Sequence, residues 1–244
     1  MNPLDIAAAR SPWAQHSVSE KVLAFGGALV LALALPPLPV LPVLLVIVLL
    51  AAARAQVNWR LYIGLVLAPF GFIVLGIWPL MINLTPSGLV LVEGGVAHAA
   101  VVAGRSLVGM SITMLYALST PIAAQLTWAR RIGIPEALVV VSMHIYRFSS
   151  LLYTQSQAMW HAQAQRLGHS SWRRFLRSVA DQAANLFLAA FQRAQRLQEG
   201  LELRADNAAA AVYGTFTPAR PARLAIILVC LAAVCAVGLI PVVW

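Results

Sequence analysis

This sequence predicts an all-α integral membrane protein with about five spanning helices, and a cytoplasmic region of long amphipathic helices inserted before the last span. Three observations predict it. Apolar residues make up 61% of the 244 positions and charged residues only 10%, with a mean hydropathy of +0.81, whereas soluble domains carry about half and about a quarter. The apolar residues gather in five runs, 22–35, 37–53, 61–82, 99–121 and 224–243. A spanning helix needs about 20 such residues, fewer where it tilts or thins the bilayer. Finally, lysine and arginine outnumber acids 17 to 8, and they gather in every second gap between the runs.

Residues 1–21 contain Asp5, Arg10, Trp13, His16 and Glu20. They lack the basic start, apolar middle and small-residue cleavage site of a signal peptide, so this segment is expected to stay in the mature protein. The first two runs are divided by Pro36-Pro37-Leu38-Pro39, which reads either as a tight turn or as a kink in one long helix. Charge decides for the turn. Two separate spans put Arg10, Lys21, Arg54, Arg60 and the segment 124–223 on one side, which then holds every cation except Arg105. The opposite loops, around Pro36 to Pro39 and from Asn83 to His98, hold no lysine or arginine. This positive-inside pattern places the N-terminus in the cytoplasm and the C-terminus outside. The expected organisation is a cytoplasmic segment 1–21, a four-span region 22–123, a cytoplasmic region 124–223 and a final span 224–244.

The segment 124–223 holds twelve arginines against five acids, a net of +7. Within 171–204, Trp172, Phe175, Leu176, Val179, Ala183, Phe187, Ala190, Phe191, Ala194, Leu197 and Leu201 recur at steps of three and four, the mark of a long amphipathic helix. Ser170 or Ser171 suits its start, and Gly168 suits the end of the helix before it. Residues 134–165 are apolar at Ala137 to Val141 and Ile145 to Leu152, but His144, Arg147, Gln155 and Gln157 argue against full insertion. The reading is a helix running from the membrane surface after Pro135 into the cytoplasm. A sixth span is the alternative, and it would place 166–223 outside, against the charge rule. Ala208 to Arg223, with Gly214, Pro218 and Pro221, reads as a linker.

Catalytic and metal signatures are sparse. No glycine-rich loop ends in Gly-Lys-Ser/Thr, and the sole lysine is Lys21, so any ATP is expected to be handled by another subunit. No His-Glu-x-x-His occurs, and Gly104-Arg105-Ser106-Leu107-Val108-Gly109 misses the Gly-x-Ser-x-Gly elbow by one residue. Gly104 and Gly109 read instead as points of close helix approach. The five histidines are scattered, and Cys230 and Cys235 point in different directions on a helix, so neither a disulfide nor a metal set is expected. Acids are absent from the spans, which removes the usual proton or cation relay. Arg105 is the one intramembrane charge; it contacts a partner or an internal polar group, or else snorkels to the outer interface.

Two arginine-tipped segments stand out, Ala164-Gln165-Arg166-Leu167-Gly168 and Glu202-Leu203-Arg204-Ala205-Asp206, with the arginines 38 residues apart. Each arginine sits where a basic residue favours a helix dipole, by a few tenths of a kcal/mol to about one. Their recurrence at successive cytoplasmic helix ends allows another reading, two tips inserted side by side into equivalent grooves of paired ATPase subunits.

The order of four short-looped spans, a basic two-helix region with an Ala-Arg-Gly-like signature closing each helix, and a final span resembles the transmembrane T component of energy-coupling-factor (ECF) transporters. Thr120-Pro121, Ile134-Pro135-Glu136 and Tyr146-Arg147-Phe148 are further points of resemblance. In that family the signatures dock into two ATPase subunits. The resemblance carries this role to Gln165-Arg166-Leu167 and Leu203-Arg204-Ala205, where only the arginine of each signature is kept; Arg147, within a point of resemblance, and the intramembrane Arg105 are candidate partner contacts. Asp5 to Ala9, Ser11-Pro12, His16 and Glu20-Lys21-Val22-Leu23 look like the start of the cobalt branch, the CbiQ-like proteins. The resemblance implies a non-enzymatic coupling subunit of a cobalt importer in a prokaryotic inner membrane. Its implied partners are two ATPase subunits, a substrate-binding S component and membrane lipid, with no nucleic acid. No cofactor is expected on this chain. A T component for nickel, biotin or another vitamin is the nearest alternative, and a non-transport protein binding anionic lipid through its basic helices is the more distant one.

Overall fold

The computed structural model of the protein describes residues 7–9, 11–85, 88–91, 94–203 and 217–243. They belong to two compact units, one made of the helices up to Ser119 together with the last helix, the other of the helices between Ile122 and Leu203.

In the first unit a short 3-10 turn, Pro12–Gln15, precedes a helical path that begins as α1 (Val18–Lys21), widens to a π-helical turn (Val22–Gly26) and continues as α2 (Gly27–Ala34). It stops at Leu35, whose backbone is extended (φ −91°, ψ 162°). The cause is local, because a residue before proline is pushed out of the α region. A new helix, α3 (Pro37–Arg54), follows; Leu38 within it is still extended (φ −107°, ψ 124°), so its regular turns begin at Pro39, where a missing N–H costs nothing. The first two apolar runs are therefore separate helices. Next come α4 (Trp59–Met81) and, after a short hairpin, α5 (Gly95–Ser119); α9 (Pro221–Val243) completes the unit. The hairpin pairs β1 (Ile82–Thr85) with β2 (Gly88–Leu91) antiparallel, Ile82 opposite Leu91. It was not expected from the loop's composition and is the one sheet among the described residues.

The core of this unit lies between α3 and α5, where Val40, Leu44, Ile112, Leu115 and Leu118 are almost wholly buried. Tyr62 on α4 donates to the Ser111 carbonyl at 3.2 Å. The last helix runs parallel to the first path. Arg220 lies against Glu20, Leu231 against Gly27 and Gly238 against Leu35. Many large apolar side chains, among them Leu67, Phe72, Leu75, Trp78 and Val229, point away from the unit. That suits helices bathed in lipid, where close packing of small residues, not apolar burial, draws helices together.

The second unit contains α6 (Ile122–Arg131), α7 (Glu136–Gln165) and α8 (Trp172–Leu203). Gly133, at φ 97°, turns α6 into α7, and Arg130 pairs with Glu136 at 2.9 Å across that turn. The helices α7 and α8 form an antiparallel hairpin, in which Gln182 Nε2 donates to the Ser156 carbonyl (3.1 Å) and hydroxyl (2.7 Å). Ser171 caps α8, its hydroxyl accepting from the Arg174 N–H at 3.4 Å. The amphipathic stripe of α8 is left largely uncovered: Trp172, Leu176, Phe187 and Phe191 are exposed, and Ser178 is the buried residue of this helix.

By length and composition five helices are able to cross a bilayer, α3, α4, α5, α7 and residues Pro221–Leu239 of α9. The number matches the five runs in the sequence, but the set differs in two places. The run 22–35 is divided by the π turn, which leaves only 8 residues in α2. Conversely, α7 is an unbroken helix of 30 residues, well beyond the 20 or so a span needs, although the sequence reading placed it outside the bilayer.

Candidate functional site

The loop that closes the α7–α8 hairpin contains the first arginine signature. Gln165 is the last residue of α7 and Arg166 its C-cap, with φ −88° and ψ 16°. Leu167 follows in the left-handed region at φ 57°. The Gly168 N–H then reaches back to the Gln163 carbonyl (2.9 Å) and the Leu167 N–H to that of Ala164 (3.1 Å), the hydrogen-bond pair of a Schellman cap. The left-handed place in such a cap is usually glycine's, and here leucine holds it. Gly168 is needed for another reason than its expected role as helix breaker. A Cβ there would lie 2.6 Å from Ser178 Oγ and 2.9 Å from the Gln163 carbonyl oxygen. Ser178 in turn donates to the Gly168 carbonyl at 3.2 Å, which ties the loop to α8.

Aromatic contacts brace the same elbow. His169 lies 4.2 Å from the Trp160 ring and 5.8 Å from Phe175. Arg166 and Leu167 project from this braced turn, Leu167 with 66% of its surface exposed. Because the last carbonyls of α7 are taken by the backbone N–H groups of Arg166, Leu167 and Gly168, the Arg166 guanidinium is not needed as a cap. Among the described residues it has no hydrogen-bond or ion-pair partner.

The other predicted residues are dispersed. Leu203 ends α8 with 88% exposure, and Arg204 and Ala205 lie outside the described residues, as does the 208–216 part of the expected linker. Arg147 is exposed on α7, its carbonyl accepting from the Ser150 hydroxyl at 2.9 Å. Arg105 turns inward: its guanidinium donates to the Leu35 carbonyl at 2.9 Å and so caps the end of the first helical path, the internal polar contact that was one of its expected roles.

Glu20 and Lys21, which the sequence marked only as part of the N-terminal resemblance, join the first unit's helix ends. The Glu20 carboxylate accepts the Arg220 backbone N–H at 2.8 Å and faces Arg223 at 3.7 Å, at the start of α9. Its neighbour Lys21 donates Nζ to the Ser119 carbonyl, 2.8 Å away, at the end of α5. Acid at a helix N-terminus and base at a C-terminus are the favourable pairings with the helix dipole. Both side chains are buried. Burial pushes the Lys21 ammonium down to about 8, partly offset by Glu20. Nothing in the sequence pointed to these contacts beyond a lone lysine beside an acid at the mouth of an apolar run. Among the described residues no three His, Cys, Asp or Glu side chains gather as a metal set.

Comparison with known proteins agrees with this architecture. The family model CbiQ, described as cobalt transport protein, matches residues 10–207. The cobalt transport protein CbiQ of Rhodobacter capsulatus is 35% identical over 238 residues, 97% of this chain and 98% of that protein. The CbiQ of Salmonella typhimurium is 26% identical over 84% of this chain and 96% of its own length. A protein of Methanocorpusculum labreanum named as a fused cobalt transport protein, CbiMQ, is 28% identical over 82% of this chain, which corresponds to 36% of that longer protein. Multi-pass apolar helices and a match along most of the sequence lead to one conclusion: the chain belongs to the CbiQ family of cobalt transport proteins.

Proposed function

We propose that this chain is the transmembrane scaffold of an ATP-driven, ECF-type cobalt importer, coupling two ATPase subunits to a separate membrane subunit that holds the cobalt ion. One observation carries the docking role. The Arg166 guanidinium stands free on a rigid elbow whose helix end is already capped by backbone N–H groups. Five N–H donors in a fixed fork suit a carboxylate-lined groove on a partner. Arg204, which follows Leu203 in the sequence, would supply the second tip. The uncovered apolar face of α8, including the Phe187–Phe191 pair with centroids 6.3 Å apart, supports a role within a larger assembly. The fused CbiMQ relative, in which a longer chain includes the region similar to this one, supports a companion cobalt-transport subunit.

On the charge pattern the elbow and the N-terminus would be cytoplasmic, with α7 running from the membrane surface after Pro135 into the cytoplasm. The chain leaves the first unit after Ser119 and returns to it at α9. Lys21 holds the former helix end and Glu20 the latter, so ATPase closure acting on α7 and α8 would reach the spans at two fixed points.

Replacing both arginines by glutamate (R166E/R204E) tests the reading. Charge-assisted hydrogen bonds are worth about 1.5–3 kcal/mol each, so the double variant is expected to lose stoichiometric ATPase subunits on purification and to lose cobalt uptake. Wild-type transport and assembly from that variant would sink the docking role.

A further inference from the structure

A cavity of about 460 Å³ opens in the first unit between the N-terminal segment, α3 and α9, a size typical of sites for small molecules. Its two ends differ in chemistry. One is lined by Lys21, Arg54, Arg223 and a single acid, Glu20. The other is apolar, and its room comes from three small side chains, Ala24 and Ala28 on the first helical path and Ala51 on α3, opposite Ile226 and Ile227 of α9.

The cations sit at helix ends on one side of the first unit. Lys21 lies in the opening turn of the first helical path, Arg54 ends α3 and Arg223 lies in the first turn of α9, so with spans that alternate in direction all three mark the same bilayer interface. Arg54 is exposed and has no hydrogen-bond or ion-pair partner among the described residues. Arg223 faces Glu20 at 3.7 Å with 40% of its side chain exposed, which leaves guanidinium donors to spare. Burial and the nearby Arg223 and Lys21 charges hold the His16 imidazole below its ordinary value, as expected for a positive pocket.

We infer that this cavity is a binding site for one anionic phospholipid, its phosphate on Arg54 and Arg223 and an acyl chain over Ala24, Ala28 and Ala51. An inorganic phosphate would satisfy the arginines and leave the apolar end empty. A zwitterionic lipid would bring its own ammonium toward three cations. Only a lipid with net negative charge complements both ends, and it would pack the first, second and last spans together at the interface where Glu20 and Lys21 hold α9 and α5. The site shares no residue with the arginine elbow, so it stands or falls independently of the docking reading.

Native mass spectrometry of the full-length chain, released from detergent with added lipid, tests the site. Phosphatidylglycerol is expected to be retained about tenfold more strongly than phosphatidylcholine, and Arg54→Gln to erase most of that preference, since each basic contact at an anionic surface contributes about 1 kcal/mol. Arg54→Gln leaves the Glu20–Arg223 pair intact. Ala51→Leu, which fills the apolar end without altering charge, is expected to weaken retention as well; Ala28→Leu serves if that variant does not fold. Equal retention of the two lipids, or retention unchanged in both variants, overturns the site. Displacement of phosphatidylglycerol by inorganic phosphate overturns the lipid and leaves a simple anion site.

Discussion

Leu167 holds a backbone conformation that leucine avoids. At φ 57° its Cβ crowds the following carbonyl, a cost of about 1–2 kcal/mol that glycine escapes. Replacing it with glycine is therefore expected to stabilise the purified chain by about 1 kcal/mol, measured as a rise in thermal midpoint. If the exposed leucine touches a partner, the same variant will assemble less well with ATPase subunits, and the two effects will run in opposite directions. Gly168→Ala is expected to lower the midpoint, because the added methyl meets Ser178 Oγ and the Gln163 carbonyl at under 3 Å. An unchanged midpoint in both variants would mean that the elbow is not built as described. The sequence indicated a helix end near Gly168 but not which residue turned left-handed. That choice depends on Ser178, ten residues away, and on the aromatic brace, neither of which local propensity contains.

Among elements, the parallel contact between the first helical path and α9 rests on two glycines. A Cβ at Gly27 would lie 2.6 Å from Leu231 Cδ1, and one at Gly238 would overlap Leu35 and Val40. Composition pointed instead to Gly104 and Gly109. Gly104 is snug, 3.2 Å from Leu41 Cδ1, whereas Gly109 leaves ordinary contact at 3.4 Å from Leu29. Gly238→Ala is thus expected to destabilise the membrane unit by about 1–3 kcal/mol, as overpacking does, while Gly109→Ala leaves it nearly unchanged. Thermal unfolding in one detergent compares the two, and equal effects would contradict the packing. The glycines were visible in the sequence; what distinguishes them is the helix each one faces.

For the whole molecule, the charge pattern makes a topological prediction. With Cys230 and Cys235 replaced by alanine, a single cysteine introduced by Pro36→Cys should react with a membrane-impermeant maleimide in intact cells. One introduced by Gln56→Cys should react only after permeabilisation. The reverse pattern would invert the orientation and remove the elbow from any cytoplasmic ATPase.

Composition, charge pattern and periodicity establish the membrane class, the apolar runs, the break at Pro36-Pro37 and the amphipathic stripe of α8. These follow from lipid's demand for internally bonded backbone and from side-chain period, both local. The hairpin at Ile82–Leu91, the π turn, the parallel first and last spans and the ties from Glu20 and Lys21 were decided by tertiary structure. Lys21 reaches 98 positions ahead and Glu20 200. Contacts at such separations form only once the helices between them are packed, so no window of sequence registers them.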